Sequence, residues 1–417
     1  MKLTALLIIF ILTVTAGFAQ NTNSPYSILG IGDIENNYYN RTSGMANTGL
    51  AYRSDRYLIN NNPASYTALQ KQFFSFELSA RGQFINYKGN PLDGTAASGK
   101  DFAIKRVSVA TKITRWWGSS AGLMPYSTAN YAFNSVKNIQ GTNATVPVNY
   151  DGSGGINQVY WANAFQPIKH LSVGVHAAYL FGSLTQTENV VTDGLATTLT
   201  TTRQQFFKNF SFTYGMQYYR PLSKNWDVNL GAVYTPASSL ASDASVVVTD
   251  NATQISNTTD DEKTASFHLP NSSGIGISLT KNKKYSFSAD YRYQAWTATN
   301  YTGLNYALKN SQRISAGVEV SNKKSYFNNV LFEKNYLQAG AYYGQSYLAI
   351  KGEQLNEMGI TLGYGVNSKK NLIGVHLGLD IGQRGTTQNG LIKENYVNFT
   401  ISVSYRDFWR TRGAKYF

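Results

Sequence analysis

Residues 397–406 alternate without exception. Val397, Phe399, Ile401, Val403 and Tyr405 are apolar; Asn398, Thr400, Ser402, Ser404 and Arg406 between them are polar. A period of two is the signature of a strand with one apolar and one polar face. The same division recurs within residues 171–179, 287–294, 314–320 and 373–382. An apolar face repeated this often has to be covered, either by a second sheet or by hydrocarbon. Periodicity does not choose between them, because a globular sandwich alternates too. The connections do. Short ones lie near residues 115–118, 166–170, 221–225, 281–284 and 368–371, and longer polar ones near 89–100, 134–152, 187–202, 242–262, 298–310 and 385–393. Two break the rhythm: 323–334 is long on the short-turn side and 351–355 is short on the other. Short turns at one rim and long loops at the other are how an outer-membrane barrel is built, and about fourteen segments give the even count such barrels have. The segments run to ~12–18 residues against the ~9–11 that cross a bilayer, so the walls are expected to rise above it.

Composition agrees. Charged residues make up 14% of the chain, where soluble domains carry roughly 25%. Tyr occurs 30 times, as interfacial girdles require, and past the first residues no apolar run reaches the ~20 of a helical span. Composition alone leaves a secreted β-sandwich or lectin open. An open antiparallel sheet of this length would expose two long edges, and closure removes them. The expected fold is all-β: an antiparallel transmembrane β-barrel of about fourteen strands.

Lys2, the apolar residues 3–14 and Gly17-Phe18-Ala19 read as a secretory leader cleaved after Ala19, and with a barrel behind it the address is the bacterial outer membrane. The 417 residues contain no Cys, which excludes disulfides, a thiolate metal site and a lipidated mature N-terminus. A net charge of +14 would suggest nucleic acid in the cytoplasm. Behind a leader it fits anionic headgroups or acidic substrates instead, and no nucleic-acid partner is expected. The chain thus divides into a signal peptide (1–19), an N-terminal segment (20–70), a barrel (71–409) and a tail (410–417).

Residues 44–69 are the exception to the strand pattern. Gly44, Ala46, Gly49 and Ala51 are small, and Asn60-Asn61-Asn62-Pro63 leads into Ala64-Ser65-Tyr66-Thr67-Ala68-Leu69. Pro63 has its φ preset for a helix start and holds Asn62 extended, which makes Asn62 the N-cap of a short helix. A compact, Asn-studded segment of small residues suits a polar-walled lumen, and we expect it to plug the barrel, with residues 24–33 as its start.

Asp290, Arg292, Gln294 and Trp296 fall on the expected lumen face, with Glu77, Arg81, Glu319, His176, Asp380 and Arg106 on neighbouring walls. They either hold the plug or meet a ligand headgroup, and the plain reading is a polar ladder that fills the lumen. His170-Leu171-Ser172 lacks a G-x-S-x-G elbow and sits at a short turn, so no enzyme is expected. Four His without H-E-x-x-H argue against a transition metal, and Asp243, Asp250, Asp260, Asp261 and Glu262 lack calcium-loop spacing. No cofactor is expected. Lys283-Lys284, Lys323-Lys324 and Lys369-Lys370 sit on short-turn connections, as inner-leaflet headgroup contacts or as solvated turns. Trp116, Trp117, Trp226 and Trp409 fit an aromatic girdle.

GMANTG in residues 44–49 followed by NNNPASYTAL in residues 60–69 resembles the N-terminal hatch of the long-chain fatty-acid transporter family (FadL/TodX). Tyr234-Thr235-Pro236, residues 269–276 and residues 288–296 resemble the same family's proline-bearing strands and the strand after them, and residues 382–409 resemble members from the Bacteroidota. The resemblance spans the mature chain. It implies outer-membrane uptake of small hydrophobic molecules past a hatch and out sideways at a kinked third strand. Pro125 is the candidate for that lateral gate, Gly44, Gly49, Asn62, Pro63 and Ala64 are the hatch, and Pro236 and Pro270 are candidate bends. The partners implied are outer-membrane lipid and a small hydrophobic ligand. The rival reading is a non-transporting accessory barrel in an outer-membrane protein assembly or secretion complex, which the connection 323–334 and the aromatic tail favour.

Overall fold

The computed structural model describes residues 24–408, apart from residues 72, 90–97, 140, 142, 193–196, 252, 261–266, 304, 327–329 and 369–371. The leader, Lys369-Lys370, Trp409, Asp261, Glu262 and the tail 410–417 lie outside the described residues.

A two-residue strand β1 (Asp33–Ile34) precedes the wall, which starts with β2 (Phe73–Lys88), β3 (Ser98–Lys112), β4 (Trp117–Thr128) and β5 (Tyr131–Asn138). Then come β6 (Thr145–Ile168), β7 (Leu171–Thr192), β8 (Thr197–Pro221), β9 (Trp226–Thr235), β10 (Ser238–Asp250) and β11 (Thr253–Asp260). After these are β12 (Phe267–Leu269), β13 (Ser272–Lys281), β14 (Tyr285–Gln294) and the short β15 (Thr302–Gly303) and β16 (Tyr306–Leu308). The wall ends with β17 (Ser311–Tyr326), β18 (Val330–Ile350), β19 (Glu353–Asn367), β20 (Ile373–Arg384) and β21 (Lys393–Phe408). Neighbours pair antiparallel, and β21 pairs with β2 from end to end, which closes the ring. Because β4 with β5, β9 with β10, and β11 to β13 are each one interrupted strand, the barrel has 14 strands.

The alternation decides the faces. Phe399, Ile401 and Tyr405 are 50%, 44% and 42% exposed, whereas Thr400, Ser402, Ser404 and Arg406 are buried. Apolar side chains look outward and polar ones inward, as a lipid-facing wall demands. Pro236 separates β9 from β10 and Pro270 separates β12 from β13; the breaks face each other, with Ser238 opposite Leu269 and Thr235 opposite Ser272. Neither proline has an N–H for the ladder, so both strands break at one height.

Three expected loops are mostly strand. The described residues within 134–152, 187–202 and 242–260 continue the wall in the β5–β6, β7–β8 and β10–β11 pairs. Their Thr, Ser and Asn suit strands that stand above the bilayer with water on both faces. As a result β7 and β8 reach 22 and 25 residues. The connection 323–334 is not a long loop either: β17 and β18 stay paired down to Tyr326 opposite Val330. Trp296 also departs from expectation. The ladder of β14 ends where Ser272 meets Gln294, so Trp296 leaves the wall's inner face for a 3-10 turn. There it is fully buried and stacked on Tyr347 at 4.7 Å. With Tyr26, Ile31, Leu180 and Phe267 it belongs to an apolar cluster towards the long-hairpin end.

Residues 24–70 run inside the ring and form 3-10 turns at Pro25–Ile28, Arg41–Met45 and Pro63–Ala68. Asn62 accepts from the Ala64 N–H at 3.0 Å, the cap that Pro63 signals. The wall meets this segment through a hoop of glycines. At Gly118, Gly174, Gly215, Gly231, Gly317, Gly340 and Gly363 an added Cβ would run into atoms of residues 44–66 or, at Gly363, Gln338 as well. Cross-strand pairing puts Gly174 opposite Gly215 and Gly317 opposite Gly340. The close approach is a matter of space, since none of these glycines needs a left-handed φ.

Two substitutions separate the faces. At Gly340 a Cβ would lie 2.6 Å from the Met45 carbonyl carbon, so Gly340→Val is expected to cost about 1–3 kcal/mol and to open residues 41–58 to trypsin. On the opposite face, Ile401→Arg is expected to cost up to about 2–4 kcal/mol, read from unfolding in lipid vesicles, without exposing that segment.

Candidate functional site

The interior is organised by what residues 24–70 present to the wall. Arg41 makes the largest set of these contacts, with two glutamates and two rings. Its Nε and Nη2 donate to Glu319 at 2.9 and 2.8 Å, and Nη1 and Nη2 donate to Glu333 at 2.6 and 2.8 Å. The rings of Tyr57 and Tyr336 lie 4.2 and 3.7 Å from its guanidinium carbon. Tyr52 and Gln338 donate to Glu319 at 3.0 and 2.7 Å, and Tyr57 donates to Glu333 at 3.0 Å. Both ion pairs are buried. Removing one partner from such a pair typically costs ~3–5 kcal/mol, because an uncompensated charge stays behind.

Asp290 accepts the Gly49 and Leu50 N–H groups at 2.8 and 3.0 Å. Arg292 donates to the Tyr38 hydroxyl at 2.8 Å, and Gln294 accepts from Trp296 Nε1 at 2.9 Å. Glu77 pairs with Arg106 and accepts the Leu58 N–H at 3.1 Å, while Arg106 also donates to Asn60 at 2.8 Å. Ser43 bonds His376 at 2.9 Å, whereas His176 stacks on Tyr160 at 4.7 Å and Asp380 bonds Tyr342 and Asn398 within the wall. Asn62 donates to three carbonyls, those of Leu50, Met216 and Ala232, at 2.8, 3.1 and 3.3 Å. Gly44 lies against Gly363, Gly49 against Asn61, and Pro63 with Ala64 against Gly174. The structure therefore brings Asp290, Arg292, Glu77, Arg81 and Glu319 to the inner segment and leaves Trp296 in the apolar cluster. Sequence reasoning missed Arg41, Glu333, Glu35 and Lys105. Arg41 is a lone cation among small residues, and that contrast was the available signal.

The wall also breaks between β3 and β4. β3 pairs with β4 only where residues 107–112 face 118–123. Above that, β4 turns away at Met124-Pro125, and its ladder to β6 slips register between Pro125 and Ser127. The β3–β4 register stops at Val107 opposite Leu123. The inner segment closes the break: Asp33 and Ile34 pair with Thr128 and Ser127. The Glu35 N–H donates to the Tyr126 carbonyl at 3.0 Å, and the Ser127 hydroxyl donates to the Ile31 carbonyl at 2.7 Å. Across the gap, Lys105 of β3 meets the Glu35 carboxylate at 2.5 Å. Lys105 is the extra residue of a bulge, where β2 steps from Arg106 to Ile104, and the bulge turns its chain inward. Arg81 of β2 lies 3.5 Å from Glu35 and 3.1 Å from Asp101, and Tyr39 also donates to Glu35. Burial alone would raise the Glu35 carboxyl, but Lys105 and Arg81 outweigh it and hold it at about 2.

Between the inner segment and the apolar cluster lies a chamber of about 180 Å³. Its lining mixes Met124, Leu180 and Leu269 with many amides and hydroxyls, such as Asn47, Asn60, Ser211 and Thr213, and with Arg292 and Arg313. Polar and apolar surface line it in nearly equal measure.

A family model described as BamG matches residues 1–416. The fold is similar to that of the CymD monoaromatic hydrocarbon channel, at a TM-score of 0.56 and 14% identity over 88% of this chain and 97% of that one. It is also similar to the Pseudomonas putida toluene transporter TodX, with 0.56 and 14% over 91% and 99%. A Pseudomonas aeruginosa FadL homologue gives 0.57 and 10% over 92% and 100%. These likenesses establish the fold. No curated protein matches the chain.

The Glu35 clasp makes an acid-dependent seam. A carboxyl held below its ordinary value adds stability above that value, roughly 4.3, and loses it as pH falls towards the folded value of about 2. Hydrogen-exchange protection at Ile34–Glu35, taken relative to the intrinsic rate at each pH, is expected to fall between those limits, and Glu35→Gln is expected to show the lowered protection at every pH.

Proposed function

The chain belongs to the BamG family, and from that premise we propose that it is a non-conducting accessory barrel, a subunit of an outer-membrane protein assembly or secretion complex. The observation that carries this reading is the closure of the wall break by residues 31–35, through backbone pairing on one side and a buried ion pair on the other. A lateral exit for a greasy molecule needs an open or easily opened gap. Here opening would strip Lys105 and Glu35 of each other in a site poor in water. The chamber adds to this, since an apolar ligand there would face amides, hydroxyls and two guanidinium groups as well as apolar side chains. On this reading the leader delivers the chain to the outer membrane, the short turns face the periplasm, and Gly44, Gly49, Asn62, Pro63 and Ala64 belong to a hatch seated for good. Asp290, Arg292, Glu77, Arg81 and Glu319 are its anchors.

The second reading is passive uptake of small hydrophobic, fatty-acid-like molecules, with Pro125 as lateral gate and Gln294 and Trp296 near the ligand path. The break at Pro125 and the FadL/TodX-like fold favour it.

One pair of measurements separates them. Affinity purification in mild detergent is expected to recover other outer-membrane proteins in fixed stoichiometry. Proteoliposomes of the pure chain are expected to pass labelled toluene or oleate no faster than empty vesicles, with or without Lys105→Ala. A monomer carrying lipid alone, with a flux that falls on Pro125→Ala, would establish the channel instead.

A further inference from the structure

At the short-turn end the ring encloses an open bowl of about 470 Å³, within the range of roughly 300–1,000 Å³ typical of ligand clefts. Its floor is Arg53. Nη1 donates to Gln217 at 2.9 Å and to Ser172 at 3.3 Å, Nη2 donates to Thr67 at 3.0 Å, and the guanidinium lies 4.1 Å from the centre of the Tyr219 ring. Every one of those acceptors is neutral. The Lys112 ammonium reaches the Thr67 carbonyl from behind, so two cations share one threonine with no acid between them. Burial lowers the Arg53 guanidinium to about 10, as expected of a desolvated cation without a counter-charge. Arg56, Arg220 and Lys283 also line the bowl, and Lys169, Lys224 and Lys284 stand exposed on its rim. The acids present are Asp55, 3.8 Å from Arg56, Glu333, engaged by Arg41, and Asp227. None of them bonds Arg53.

We propose that this bowl is a socket for an acidic, extended segment of a periplasmic partner protein, with one carboxylate reaching Arg53 and others meeting Arg220 and Lys283. A carboxylate is the chemistry a forked guanidinium over an aromatic ring receives best. The bowl lies within the ring of strands, so the headgroups around the barrel meet the outer face and not Arg53. The inference rests on the accessory-subunit reading and gives that subunit a place where its partner docks.

The test uses the full chain in detergent and a short fluorescein-labelled Glu-Ala peptide, read by fluorescence anisotropy, with a Lys-Ala peptide as control. The acidic peptide is expected to bind and to weaken with salt. Binding is expected to weaken about tenfold in Arg220→Glu/Lys283→Glu, an exposed pair that leaves the barrel intact, and further in Arg53→Gln. Equal binding of both peptides, or no effect of the exposed pair, overturns the socket. So does a stronger response to phosphatidylglycerol vesicles than to the peptide. In cells, the exposed double variant is expected to lose the proteins that the wild type recovers. If it retains them, the socket is wrong and the accessory reading stands; if the wild type recovers none, the accessory reading itself falls.

Discussion

The buried clasp of Arg41 by Glu319 and Glu333 is the interaction on which the rest of the interior depends. A ring of fourteen strands turns a largely polar face inward, apart from the apolar cluster at one end, and polar groups withdrawn from bulk water have to find partners. Arg41 supplies the charge that lets two glutamates sit side by side on β17 and β18. Once it is fixed, the turn Arg41–Met45 lies against Gly317 and Gly340, and Ser43 reaches His376. The segment is then held by directional bonds rather than by shape alone. At its contacts with the wall it has ion pairs at Arg41 and Glu35.

How much of this the amino-acid sequence discloses depends on the range of the interaction. Alternation is local, so the faces of β21 could be read directly, as could the Asn62–Pro63 cap. The hairpins above the bilayer were legible as segments but not as strands, because Thr, Ser and Asn are equally at home in a wet strand and in a loop. Trp296 was misplaced because a period of two continues past Gln294 while its ladder partner, after Pro270, does not. The Glu35–Lys105 and Arg41–Glu333 pairs join residues 70 and 292 positions apart, and nothing in a single chain marks such couples. The glycine hoop lay in plain view, since Gly174 and Gly317 occupy polar-face positions of otherwise regular strands. Without knowing which strands are neighbours, a glycine on the inner face looks like mere smallness.

The fold and the proposed role part company at one place. The similar structures are named as a channel and a transporter. This barrel has a break at β4 and fills it with its own main chain. Pairing two residues of β1 with β4 supplies the donors and acceptors that an open edge in hydrocarbon would lack. On the accessory reading proposed above, two short stretches, residues 31–35 and the bulge at Lys105, make this barrel a solid pillar.

The glycine hoop also carries a consequence for how the molecule is made. Its members are spread from β4 to β19, and β21 must find β2 before the ring exists. The partners of Arg41 and Ser43 belong to the last third of the chain to be synthesised, so the stretch they secure emerges early and waits. A finished cylinder, with its inner main chain already tight against that stretch, offers no clearance for later insertion. Wall and filling must therefore mature together, the one wrapping round the other as the final staves are drawn in.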